Sequence, residues 1–279
     1  MFFQNQAAAL AVMGERKRQC FITGLIDLTS LRDDDTVARI AALCEILSPL
    51  YGLPADLCIY RQFLPAADKI LAAKGLRGQI RLVSVANFPA GGTDSAKAAA
   101  EVKEVLALGA DEVDIVFPYH ALMRGEARAG RLLLRAARAA AGGKVLKVIL
   151  ESGILQQPHW IKQAAEIAVG EGADFLKTST GKAAINATLP AARLMLEVIA
   201  EHNRNCGLKI AGGVRTQMQA EDYLALTAEI LGHGWIDPAH FRFGSSALYT
   251  ALRESRDNCG VSSVDKAAAE QLVVLSAPH

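Results

Sequence analysis

The sequence predicts the α/β class, a (β/α)8 barrel of the TIM type with a short extra N-terminal helix. Three observations lead there. Short apolar runs alternate strictly with longer helical ones, which calls for a parallel sheet. The apolar runs are continuous, as expected of strands buried on both faces. Eight such units fit within about 230 residues, the span of a closed barrel. An open doubly wound sheet is the alternative, but no G-x-G-x-x-G follows the first strand. No linker or compositional break divides the chain. Residues 1–279 are therefore expected to form a single domain, with 1–20 as an appended helix and 255–279 as an appended tail.

Met1 to Val12 is apolar and alanine-rich with no basic residue before it, so it reads as a helix on the body rather than a signal peptide. Phe21 to Leu28 (FITGLIDL) is strand one, and Asp33 to Thr36 offer an N-cap to the helix Val37–Leu47. Asp56 to Tyr60 is strand two, and the helix Ala66–Lys74 after it stops at Gly75. Ile80 to Ala86 is strand three, and Thr93 or Asp94 caps the helix that runs to Leu108. Glu112 to Phe117 is strand four, broken by Pro118 and followed by a helix containing Gly130 to Ala141. Lys144 to Leu150 is strand five, with the helix Pro158–Val169 behind it. Phe175 and Leu176 begin strand six and deliver Lys177; the helix Leu189–Asn203 follows. Gly207 to Ala211 is strand seven, followed by the helix Met218–Leu231. His240 to Phe243 is strand eight, and a short helix runs to Arg253. The tail from Glu254 is polar and then alanine-rich, the composition of a mobile end. Leu108-Gly109-Ala110-Asp111 before strand four echoes Glu171-Gly172-Ala173-Asp174 before strand six, each a helix-ending glycine feeding a strand.

The net charge of +1 gives no charge-driven affinity for nucleic acid or for a membrane surface. No run approaches the roughly 20 apolar residues of a membrane helix. Cys20, Cys44, Cys58, Cys206 and Cys259 are odd in number and scattered, without CxxC or Cys/His spacing. That argues against a disulfide framework or a structural zinc site and fits reduced thiols in a cytoplasmic protein.

The chemistry concentrates in Gly172 to Lys182, where a buried strand delivers Lys177 into the turn Thr178-Ser179-Thr180-Gly181-Lys182. A buried ammonium is poorly solvated, and a nearby cation lowers its pKa further, which frees the amine as a nucleophile. A surface lysine after an edge strand is the other reading of this stretch alone. Further polar residues interrupt strands that should be apolar: Asp27 and Thr29, Asp114, Lys147, Glu151 and Lys209. If their sides agree, three lysines and two aspartates face one closed space, where a carboxylate can relay protons. Lys144 and Glu112 stand at strand starts, where a solvated charge is ordinary. Lys147 reads equally as a structural partner of a carboxylate, and Cys58 as a core-facing thiol near the site. Gly212-Gly213-Val214 and Gly244-Ser245-Ser246 follow strands seven and eight. Together with Gly181-Lys182 they suit a phosphate held by backbone N–H groups.

At Ile26–Thr29, Cys58–Tyr60, Asn87–Pro89, Gly109–Pro118, Lys147–Glu151, Ala173–Lys182, Lys209–Thr216 and Arg242–Ser246, the chain resembles the deoxyribose-phosphate aldolase family. These are Schiff-base aldolases on a (β/α)8 barrel. The resemblance implies that Lys177 is the Schiff-base lysine, Lys209 the lysine that lowers its pKa, and Asp114 the aspartate of proton transfer. The residues expected to hold substrate and phosphate are Asp27, Thr29, Cys58, Lys147, Thr180, Gly181, Lys182, Gly212, Gly213, Val214, Gly244, Ser245 and Ser246. The implied reaction is reversible cleavage of 2-deoxy-D-ribose 5-phosphate to D-glyceraldehyde 3-phosphate and acetaldehyde. It needs no metal and no cofactor, because an iminium does the polarising. The implied partners are a sugar phosphate and aldehydes, with a homodimer as the expected assembly. The chain departs from the family pattern at Ile210, at Ser152, in the order Gly244-Ser245-Ser246-Ala247, and in lacking a terminal tyrosine. A related aldolase for another phosphorylated sugar, a catalytically inactive sugar-phosphate sensor and a metal-dependent aldolase remain as alternatives.

Overall fold

Eight strands close into one parallel barrel, each beside its successor and the last beside the first. The computed structural model describes residues 14–258. The strands are β1 Ile26–Ser30, β2 Asp56–Ile59, β3 Arg81–Ala86, β4 Glu112–Val116, β5 Val145–Ile149, β6 Phe175–Lys177, β7 Gly207–Ala211 and β8 Phe241–Gly244. Their outward side chains, such as Leu57, Leu82, Val113, Leu146 and Leu208, pack under the surrounding helices and are fully or almost fully buried. That apolar layer between sheet and helices is the main core, and it leaves the barrel interior free to carry charge.

Helix starts follow local side-chain chemistry. Thr36, Asp94, Thr188 and Thr216 each accept a backbone N–H from the first turn of the helix they open. Asp94 rather than Thr93 is the cap after β3, accepting from Lys97 N–H at 2.9 Å. The helical region after β4 is split into Tyr119–Met123 and Ala127–Ala141, with Gly125 at φ +84° in the break.

Three expectations need correction. Phe21 to Gly24 belong to the helix Glu15–Gly24, not to the first strand. Only Leu25 separates that helix from β1, so the apolar run continues across the boundary and its period cannot mark it. The last helix runs Ala247–Asn258, beyond the expected stop at Arg253. Its polar end carries a buried arginine: the Arg256 guanidinium donates to Gln19 Oε1 at 3.3 Å and to the Tyr51 carbonyl. Glu112 is 1 % exposed rather than solvated, because Lys147 and Arg81 meet it inside the barrel. The expected helix over residues 1–13 and the tail beyond 258 lie outside the described residues.

Inside the barrel, Phe175 and Gly207 are register partners on β6 and β7. A Cβ on Gly207 would lie 2.3 Å from the Phe175 ring and 2.6 Å from the His240 carbonyl oxygen. The glycine therefore exists to admit the ring. Phe175 lies under Lys147 and Arg242, 6.0 and 5.5 Å from its centroid. A smaller apolar wall of Leu31, Cys58, Val83 and Val85 covers the β1–β3 side.

Candidate active site

Register brings the charged residues together. Residues paired across parallel strands face the same side, and Asp114 pairs with Lys147 while Lys177 pairs with Lys209. All four side chains point inward and are at most 2 % exposed. Asp114 Oδ1 accepts from Lys147 Nζ at 3.1 Å. Asp114 Oδ2 accepts from both Lys177 Nζ and Lys209 Nζ, each at 2.8 Å. Lys209 has a second carboxylate, Asp27 Oδ2 at 2.5 Å.

That difference in partners separates the two lysines. Burial pushes Lys177 down, its share of Asp114 pulls it up, and the Lys209 ammonium pushes it down again; the net shift is below its ordinary value. Desolvation is the larger cause, with same-sign crowding added to it. Burial also disfavours the Lys209 ammonium, but Asp114 and Asp27 together outweigh it and raise its pKa. Burial alone would raise Asp114, yet Lys147, Lys177 and Lys209 hold it far below the usual carboxylate range. Of the two lysines, Lys177 is thus the one whose neutral form is favoured, beside a lysine and a carboxylate whose charged forms are favoured.

A second charged layer lies beneath. Arg242 Nη1 donates to Asp27 Oδ1 at 2.8 Å and to Asp56 Oδ2 at 2.6 Å. Arg81 Nε meets Asp56 Oδ1 at 2.8 Å and Glu112 Oε1 at 3.0 Å. Lys147 contacts Glu112 directly and stands 3.6 Å from both Asp27 and Asp56. With the carboxylates Asp27, Asp56, Glu112 and Asp114 ionised, the cations Arg81, Lys147, Lys209 and Arg242 balance them one for one. A proton on Lys177 adds an unmatched charge to a dry interior. Asp56 is pushed up to about 7 by burial and by Asp27, and protonating it opposes charge on Lys177 still more.

Above this floor a cleft opens at the C-terminal ends of the strands. Of the residues expected at the site, Thr29, Lys177, Thr180, Gly181, Gly212, Gly213, Val214, Gly244, Ser245 and Ser246 line it. Asp27, Cys58, Asp114, Lys147 and Lys209 are fully buried and lie outside that lining. Burial raises the Cys58 thiol, which keeps it protonated. Lys182 faces away to Asp33, with Nζ 2.7 Å from Oδ1. Gly213 takes φ +97° with open space around it, so the backbone turn itself requires glycine there. Ser245 Oγ donates to the Val214 carbonyl at 2.7 Å and accepts from Leu248 N–H at 3.1 Å. Its hydroxyl therefore ties the two glycine turns together, while Ser246 is exposed at the start of the last helix. The positive end of that helix and the adjacent N–H groups suit an anion.

Sequence reasoning missed Asp56, Arg242, Arg81 and Arg215. Arg215 is exposed and lines the cleft. Arg242 carried a usable signal: it stands between two phenylalanines in a strand, as Asp114 stands between Val113 and Ile115. Chemically, the arrangement joins a buried amine of lowered pKa, a carboxylate within hydrogen-bond reach of it, and turns that suit an anion around one cleft. That is equipment for attack on the carbonyl of a phosphorylated compound.

The sequence profile described as DeoC/LacD family aldolase matches residues 22–232. A solved structure from Toxoplasma gondii ME49, provisionally named a deoxyribose-phosphate aldolase, is 25 % identical with a TM-score of 0.79. The match covers 88 % of this chain and 98 % of that one. A structure from Coccidioides immitis with the same provisional name is 28 % identical over 85 % of this chain and 87 % of that one, with a TM-score of 0.73. The tetrameric deoxyribose phosphate aldolase of Aeropyrum pernix shares the fold at 22 % identity and a TM-score of 0.66, over 90 % of this chain and 96 % of that one.

Proposed function

The chain belongs to the deoxyribose-phosphate aldolase (DeoC/LacD) family of aldolases, and on that premise we propose that it cleaves 2-deoxy-D-ribose 5-phosphate reversibly through a Schiff base on Lys177. The Lys177 amine attacks the C1 carbonyl of the open-chain sugar. The carbinolamine loses water and becomes an iminium. The C3 hydroxyl gives up its proton, the C2–C3 bond breaks, and its electron pair passes into the iminium to leave an enamine. D-glyceraldehyde 3-phosphate departs. Protonation of the enamine carbon and hydrolysis then release acetaldehyde and restore the lysine. Asp114 and Lys209, acting with a water, move the protons. The phosphate rests on the glycine turns after β6, β7 and β8. In this reading the enzyme works in the cytoplasm, in deoxyribonucleotide breakdown, as a homodimer. No helix among the described residues is long and apolar enough to cross a membrane.

The observation that carries the proposal is the shared oxygen. One carboxylate oxygen serves two buried lysines, and only Lys209 has a second carboxylate. The test is borohydride reduction in the presence of acetaldehyde, followed by peptide mass mapping. The expected adduct is on Lys177, and Lys177→Ala should abolish both adduct and cleavage. An adduct on another lysine, or full activity in Lys177→Ala, overturns the reading.

A further inference from the structure

We propose that Glu151 is a positioning residue that holds the turn Thr178–Lys182 in its anion-binding shape and so sets the preference for a phosphorylated substrate. The proposal rests on the reading of the cleft given above and adds to it the origin of its shape.

Glu151 follows the end of β5 and takes φ +57° and ψ +55°, the left-handed region, although it is neither glycine nor exposed. Backbone pairing on both sides imposes this. Leu150 N–H donates to the Lys177 carbonyl at 2.9 Å and Ser152 N–H to the Thr178 carbonyl at 2.8 Å. The residue between them turns its side chain toward Thr180. Such a conformation in a buried side chain persists only where the surroundings over-determine it.

The carboxylate then collects two donors from one residue. Thr180 N–H donates to Oε1 at 3.2 Å and Thr180 Oγ1 donates to Oε2 at 2.5 Å. Thr180 Oγ1 in turn accepts Lys182 N–H at 3.0 Å. One chain of bonds, Glu151 to Thr180 to Lys182, thus fixes the turn with Gly181 at its apex. The same β5 loop braces the far end of the β6 loop: a Cβ on Gly153 would lie 1.8 Å from the Ile185 carbonyl oxygen. Thr180 and Gly181 line the cleft and Glu151 does not, so Glu151 acts on a ligand only through them. The Thr180 hydroxyl proton is committed to Glu151, which leaves Thr180 to shape the cradle rather than donate to an anion. The Thr180 N–H and hydroxyl approach different oxygens of the carboxylate most closely. A glutamine that sets its oxygen against the Thr180 hydroxyl turns its NH2 toward the Thr180 N–H, donor against donor.

The test compares Glu151→Gln with wild type on 2-deoxyribose 5-phosphate and on unphosphorylated 2-deoxyribose, with inorganic phosphate as a competitive inhibitor. For the phosphorylated sugar, kcat/KM should fall about tenfold, mostly through KM, and the phosphate inhibition constant should rise in step. Activity on the unphosphorylated sugar should stay within about twofold. Glu151→Asp, which keeps both acceptors, should recover part of the loss. Equal losses on both substrates, no loss on either, or a fall in kcat at constant KM overturns the proposal. Thermal melting monitors folding, and if Glu151→Gln does not fold, Glu151→Asp carries the same comparison. The Schiff-base reading fails separately, in the wild type, as absence of a Lys177 adduct. Phosphate affinity of wild type against variant, by calorimetry, still decides the role of Glu151 in that case.

Discussion

Lys177 and Lys209 are register partners across β6 and β7, and their Nζ atoms each stand 2.8 Å from the same oxygen of Asp114. In the proposed reaction Lys177 attacks as the free amine, so activity should rise with pH through its pKa. Lys209→Met removes the crowding cation and leaves the Asp114 carboxylate, which raises that pKa. The acid limb of kcat/KM should move to higher pH by about one unit or more, with an activity loss of at least about tenfold at pH 7. An unmoved limb would show that Lys209 does not control Lys177.

Asp114→Asn leaves three buried lysines around an uncharged amide. Removing one partner of a buried ionic network strands the others, and stability should drop by about 3–5 kcal/mol in urea unfolding. Adding Lys177→Met should restore part of that loss, because Asp114 is the carboxylate Lys177 is paired with and its loss strands that lysine.

Asp56 gives a pH signature of stability. Its carboxyl is raised from 3.8 to about 7 in the folded protein, so the folded state holds that proton more tightly than the unfolded chain. The contribution is fully present below about pH 4 and is lost as pH rises to about 7. Three units correspond to about 4 kcal/mol as an order of magnitude. Asp56→Asn should remove this slope between pH 4 and 7, measured as the difference from wild type in chemical unfolding. Parallel curves would disprove the assignment.

Gly207→Ala places a methyl against the Phe175 ring and the His240 carbonyl. The carbonyl belongs to the backbone and cannot move aside. A loss of about 3 kcal/mol and a lower Tm are expected.

Asp33→Ala frees Lys182 from an exposed ion pair. KM for the phosphorylated sugar should fall about twofold at low salt, and the gain should fade at high ionic strength. A rise in KM would show that Asp33 helps the cleft rather than competes for its lysine.

All eight strands were legible in the sequence, because a barrel wall buried on both faces writes itself as unbroken apolar runs. The boundary at β1 was not, since Leu25 alone parts helix from strand and both sides are apolar. At the site, Asp114, Lys177 and Lys209 stood out as charges in the middle of such runs. Asp56 and Glu112 did not, because each opens its strand, where a sequence suggests solvent. The staggered closure of the barrel carries those strand starts inside. Glu151 was visible as a polar residue after β5, but its hold on Thr180 depends on a left-handed backbone that glutamate composition does not announce.

The matched ions of the barrel interior also constrain how such a protein changes. Exchanging Arg242 alone takes a cation from two aspartates, and exchanging Asp27 alone takes a carboxylate from an arginine and a lysine, and either change upsets the charge balance. Tolerated drift at these positions must therefore come as simultaneous compensating exchanges. A laboratory search for new aldehyde acceptors should accordingly vary the rim and leave this ionic floor alone.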